Sequence, residues 1–301
     1  MTDSAGRGAR KPAGGSGRSS SASRSGGSAG GSSSRTAGRS GSGAKPPPRT
    51  GRPPGNAGRP ARTQQRAGEE RTRELRAIPP PDGATASQLD PDVRRALRSL
   101  IPATADRVAA HLVATAGLLD SDPDAALQQA RAARAFAPRI GVVREAAGLA
   151  AYAAGEWAEA LAELRAERRL TGSAVHLPVM ADCERGLGRP ERALQMAGAG
   201  DLAMLDDAGR AEMLIVASGA RQDLGQLDAA VVMLGDAVDR GRPRPWSPRL
   251  WYAYAEALLA AGRPAEARMW FEAVTEIDDG ETDAEERLLS LEHPDAGGQG
   301  D

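Results

Sequence analysis

From Leu89 onward, apolar residues recur at helical spacing in Ala- and Leu-rich segments, broken by Gly-x-x or Asp-Pro punctuation. Residues 1–66 are different: they contain no Leu, Ile, Val, Phe, Tyr or Trp. The pattern therefore predicts an almost wholly helical region over 89–291, without strands, and an unstructured arm before it. Asp90 as N-cap with Pro91 in the first turn predicts a helix over Leu89–Leu100. A short acidic helix is predicted over Glu281–Leu291.

Within the helical region one phrase returns: a small residue, a glycine turn, then an acid followed by Ala and an apolar residue. It reads AAGEWAEALAEL at 153–164, GLGRPERALQM at 186–196, DLGQLDAAVVML at 223–234 and AAGRPAEARMWF at 260–271, with a degenerate copy, LDSDPDAALQQA, at 119–130. The turn glycines Gly155, Gly188, Gly225 and Gly262 are 33, 37 and 37 residues apart, and Ala126, Ala160, Ala193, Ala230 and Ala267 are 34, 33, 37 and 37 apart. A glycine closes a first helix because its C-terminus favours a left-handed residue. The alanine five residues later lets the second helix approach closely.

This period and phrase resemble the tetratricopeptide repeat, two antiparallel helices per unit. The resemblance covers about residues 105–275. Ala126, Ala133 and Pro138 stand at the family's small, small and proline positions, Gly148 lies seven residues before Gly155, and Trp251 and Phe271 take its aromatic positions. The third unit departs at Ala181 and Ala197, and the two 37-residue intervals imply longer loops. The layout also resembles a group of repeat proteins of high-GC bacteria, which implies no activity. The expected architecture is an all-α solenoid of about five hairpins: arm 1–75, linker and capping helix 76–104, repeats 105–277, and capping helix with tail 278–301.

Charge divides the chain more sharply than its net −1 suggests. Residues 1–66 hold thirteen bases (Arg7, Arg10, Lys11, Arg18, Arg24, Arg35, Arg39, Lys45, Arg49, Arg52, Arg59, Arg62 and Arg66) and one acid, Asp3, a net +12. The remainder carries −13. Such a Gly-, Ser-, Pro- and Arg-rich arm cannot bury enough apolar area to order itself. It offers phosphate-neutralising charge without stacking aromatics, so nucleic-acid binding through it is expected to be nonspecific and salt-dependent; the alternative is a solubilising tail, free or folded back on the −13 remainder. With no apolar run for a signal peptide or membrane span, and one cysteine, Cys183, the expected location is the cytoplasm.

Catalytic chemistry finds no foothold. His111, His176 and His293 are far apart in sequence and Cys183 has no CxxC partner, so no metal or cofactor is expected. No phosphate-binding loop or nucleophile elbow is present. Glu156 and Glu159, or Asp278 and Asp279, sit at helix starts and loops where the helix dipole favours carboxylates.

What the resemblance implies instead is protein or peptide binding on a concave face lined by the first helix of each unit. Counting back from the turn glycines places His111, Thr115, Glu145, Tyr152, Asp182, Arg185, Gln222, Tyr252 and Glu256 there. The family's carboxylate clamp, which uses Lys, Asn and Arg, has only Arg185 as a counterpart, since no Lys follows Lys45. Trp246, within RGRPRPWSP, reads either as a loop anchor for a partner or as packing for the next repeat. The competing functional reading is an RNA- or ribosome-associated protein in which the arm binds phosphate backbone. The oligomeric state is not legible.

Overall fold

The computed structural model describes residues 59–198 and 200–292. The expectations for residues 1–58, and His293, lie outside them. Among the described residues there are helices and no strands. Five hairpins follow one another: α3 (Pro102–Leu118) with α4 (Pro123–Phe136), α5 (Gly141–Ala153) with α6 (Trp157–Thr171), α7 (Leu177–Gly186) with α8 (Pro190–Ala197), α9 (Asp207–Asp223) with α10 (Leu227–Gly235), and α11 (Ser247–Ala260) with α12 (Pro264–Thr275). Helices α1 (Arg59–Ala77) and α2 (Pro91–Leu97) precede them and α13 (Ala284–Glu292) follows. From α2 onward each helix packs on its chain neighbours, α1 packs on α4, and first helices also meet along the stack, α3 on α5, α7 on α9 and α9 on α11. This is a helical-hairpin solenoid.

The joints explain why this sequence folds this way. Gly155, Gly188, Gly225 and Gly262 have φ of 73°, 70°, 70° and 74°, the left-handed region that costs a residue with a Cβ. Behind each, the next amide bonds back five residues: Glu156 N to Ala151 O at 2.8 Å, Arg189 N to Glu184 O at 2.9 Å, Gln226 N to Arg221 O at 2.8 Å and Arg263 N to Leu258 O at 2.9 Å. One helix end is thus closed and the next begun in a single Schellman turn. The first joint has no such glycine; Asp122 N bonds Leu118 O, and the Asp122 side chain caps α4 by accepting from Ala125 N.

Ala126, Ala160, Ala193, Ala230 and Ala267 are all fully buried. Gly148 is needed for a second close approach, since a Cβ there would stand 2.6 Å from the Leu164 side chain. Replacing Ala160 or Ala230 by Leu should therefore cost about 1–3 kcal/mol through overpacking. Thermal melting of the two variants checks this, and unchanged midpoints would count against the hairpin contact.

Three apolar clusters run along the stack: around Val108, Leu112 and Val143, around Leu127, Leu161, Leu164 and Met180, and around Leu234, Trp251, Leu258 and Phe271. The longer loops fall where the 37-residue intervals put them. One contains the 3-10 turn Gly200–Met204. The other, between α10 and α11, is fastened to α12, where Arg240 donates to Met269 O and lies 4.5 Å over the Trp270 ring. Trp246 caps the start of α11 and packs against the C-terminal cluster.

Several expected boundaries are corrected. The arm was expected to reach residue 75, yet Arg59–Ala77 is helical. Its middle has i,i+4 support such as Gln65 to Glu69, and its end is held on α4: Arg76 Nε donates to Ala135 O at 2.9 Å and its guanidinium lies 5.6 Å over Phe136. The first repeat helix starts at Pro102 instead of 105, and the two capping helices are shorter than drawn, Pro91–Leu97 and Ala284–Glu292.

Candidate functional site

The first-helix face carries a chain of polar contacts that links successive units. On the second unit, Glu145 Oε1 lies 2.8 Å from His176 Nε2, at the entrance to α7. Tyr152 donates to Asp182 Oδ2 at 2.6 Å, and Arg185 Nη1 donates to Asp182 Oδ1 at 2.8 Å. Arg185 then reaches the next unit, its Nε and Nη2 bonding the two oxygens of Asp223 at 2.8 and 3.2 Å. Gly219 makes this possible: a Cβ there would stand 2.5 Å from the Arg185 guanidinium carbon. Burial opposes the Arg185 charge, but Asp223 and Asp182 outweigh it and its pKa is raised. Burial and the bond to Asp182 likewise raise the Tyr152 phenol.

Beyond Arg185 the face opens into a groove of about 750 Å³. Helix α9 supplies Ser218, Gly219 and Gln222, α11 supplies Arg249, Tyr252 and Glu256, the turn into α13 supplies Glu281 and Asp283, and α13 itself supplies Glu286. The far wall exists because Asp278 ties that turn, accepting from Glu281 N, Thr282 N and the Thr282 hydroxyl. Arg287 of α13 lies 3.1 Å from Glu256 Oε1 and 3.7 Å from Asp283, and donates to the Tyr252 hydroxyl at 3.3 Å. Arg249, in the lining, meets Glu212 of α9 at 2.9 Å.

Acid dominates the electrostatics of this groove. Burial raises the Glu256 carboxyl above its ordinary range; Arg287 opposes the rise and Asp283 adds to it. Burial does the same to Glu212, opposed by Arg249 and reinforced by Glu281. The Tyr252 phenol is raised too, by burial and by Asp283.

Of the nine expected face residues, Arg185, Gln222, Tyr252 and Glu256 meet in this groove. Tyr152 and Asp182 join it through the Arg185 contacts, while Glu145 lines a separate apolar hollow of about 260 Å³ with Leu89, Val93, Val142 and Leu149. His111 is a correction. It is fully buried against α4, with Nδ1 2.7 Å from Gln129 Oε1 and its ring stacked near Phe136, and burial lowers its pKa. Thr115, 4% exposed, is corrected likewise: its hydroxyl donates to His111 O and it reaches only the edge of the apolar hollow.

Sequence reasoning missed Ser218, Arg249, Glu281, Asp283, Glu286 and Arg287. The acids had a visible signal: residues 276–286 contain seven Asp or Glu and no base. Nothing local showed that this run folds back over α11.

Other chemistry-bearing side chains are absorbed by the fold. Cys183 is fully buried, and burial with the neighbouring Asp182 and Glu184 carboxylates pushes its thiol up to about 12, so it carries no thiolate at neutral pH. Among the described residues no three His, Cys, Asp or Glu are grouped to hold a metal ion. No described helix is long and apolar enough to cross a membrane.

Residues 222–289 match the tetratricopeptide repeat family model, a stretch that takes in Gln222, Arg249, Tyr252, Glu256 and the whole acidic wall of the groove. No curated protein matches the chain.

Proposed function

We propose that this tetratricopeptide-type repeat chain is a non-enzymatic, cytoplasmic scaffold that holds a protein or peptide segment on its first-helix face. The observation that carries the reading is the groove between α9, α11 and the turn into α13. It is an open concavity lined by polar and charged side chains and the Tyr252 ring, built largely within the matched repeat segment. Repeat stacks of this kind present side chains from several units to one extended ligand. Along the rest of the face Asp182, Arg185 and Asp223 are bonded to one another, an arrangement suited to holding shape rather than to moving protons.

The test is photo-crosslinking from the full-length chain. A photoreactive residue at Gln222 or Tyr252 should yield discrete protein adducts, and one at the exposed Val232 of α10 should not. Equal labelling from all three would reject the groove as the binding surface. The second reading, favoured by the +12 of residues 1–66, is scored in the same samples. If the arm binds phosphate backbone, RNA recovery should vanish on deleting residues 1–66 and fall steeply with salt, while groove adducts persist after nuclease.

A further inference from the structure

We propose that the α9–α11–α13 groove selects a basic ligand, a segment of a partner protein bearing arginine or lysine, whose cationic groups are held by Glu281 and Glu286. The inference rests on the reading of this groove as a peptide site and names the chemistry of what enters it.

Charge bookkeeping around the groove leaves acid in surplus. The arginines that reach it are already engaged: Arg185 with Asp182 and Asp223, Arg249 with Glu212, and Arg287 with Glu256 and Asp283. Glu281 and Glu286 both line the wall, both are exposed, and neither has an ion-pair partner among the described residues. Burial is the main cause of the raised carboxyls of Glu212 and Glu256, and the neighbouring acids Glu281 and Asp283 add a smaller repulsive contribution, one to each. An incoming cation would relieve this repulsion, whereas an acidic ligand would add to it.

A second observation, independent of charge, points to an occupant. Ser218 lines the groove, is 1% exposed, and its hydroxyl has no hydrogen-bond partner, not even a carbonyl of the preceding helical turn. Buried hydroxyls are ordinarily satisfied. A backbone amide or carbonyl of an extended segment lying between α9 and α11 would satisfy this one. The Tyr252 ring, also in the lining, offers a face to a guanidinium or ammonium group.

The experiment uses full-length chain and three fluorescein-labelled nonapeptide libraries, identical except that three fixed positions carry arginine, glutamine or glutamate. Fluorescence anisotropy should show binding of the arginine library, weakening as salt rises. E281Q/E286Q should weaken it roughly five- to tenfold, the size expected for two solvent-accessible ion pairs. D228N/D236N removes the same charge from exposed positions on and beside α10 and should leave binding unchanged, and S218A should weaken all groove-bound peptides irrespective of charge. Equal losses from the two double variants would overturn the inference, marking the attraction as a property of net charge. If the glutamine or glutamate library binds preferentially and responds to S218A, the inference fails while the groove remains a peptide site. If no library responds to any groove variant, both fail.

Discussion

Replacing Phe271 by alanine should lower the unfolding free energy by about 3–5 kcal/mol, the usual cost of emptying a large aromatic site in a core. The ring is fully buried at the centre of the C-terminal cluster and lies edge-on to Tyr252, centroids 5.5 Å apart. Because a solenoid is stabilised repeat by repeat, the damage should be local. Chemical denaturation followed by circular dichroism should show an early transition, with hydrogen exchange accelerated in α11–α13 and unchanged in α3–α6. A loss below about 1 kcal/mol would place the ring outside the core. Since Tyr252 lines the groove, peptide binding should weaken together with stability.

Glu163→Ala should cost about 2–4 kcal/mol, although it removes no apolar packing of note, because it takes the carboxylate partner from the part-buried Arg144 and one of two from Arg134. The Glu163 side chain is 6% exposed and lies between Arg134 and Arg144, which bring α4 and α5 to α6. Arg134 also meets Glu159 at 3.2 Å, and Arg131 bonds the same carboxylate at 2.5 Å. The control is Glu272→Gln, which breaks the exposed Arg268 pair and should change stability by no more than about 0.5 kcal/mol. Similar losses from the two variants, measured by denaturant titration, would refute the special standing of the buried cluster.

Acid should act on the same place. Burial opposes ionisation of Glu159, but the Arg131 bond and the charges of Arg131 and Arg134 hold its carboxyl below the ordinary range. Its contribution is therefore present above the unfolded carboxylate pKa, about 4.3, and is lost as pH falls through the lower folded value.

The repeat was legible because its joints are local. A glycine that must take φ near 70° and an alanine that must vanish between two helices are fixed by a few residues of chain, so Gly155, Gly188, Gly225 and Gly262 marked four of five hairpins. Register on the first helices was largely legible where such a glycine anchored the count: Gln222, Tyr252 and Glu256 lie on one face, although Glu145, ten residues before Gly155, lines a separate hollow. The first unit has no turn glycine, and there the count failed: His111 and Thr115 turn toward α4 and the core. Helix α1 was missed for a related reason. Its residues are polar and its defining contacts, Arg76 to Ala135 and Phe136, span 59 residues or more.

The sequence by itself thus determined the helical period, the joints, the small residues at each crossing and the opposed charges of the two ends of the chain, all set by neighbours within a turn or two. Only the tertiary structure decided which acids face one another. The run 276–286 reads alone as a loop leading into a short acidic capping helix, and it becomes the wall of a groove because Asp278 closes the turn and Arg287 draws α13 against Tyr252 and Glu256. Ser218 becomes a buried, unpartnered hydroxyl because α11 packs beside α9. Burial and long-range charge are sums over several elements, and no window of sequence contains them.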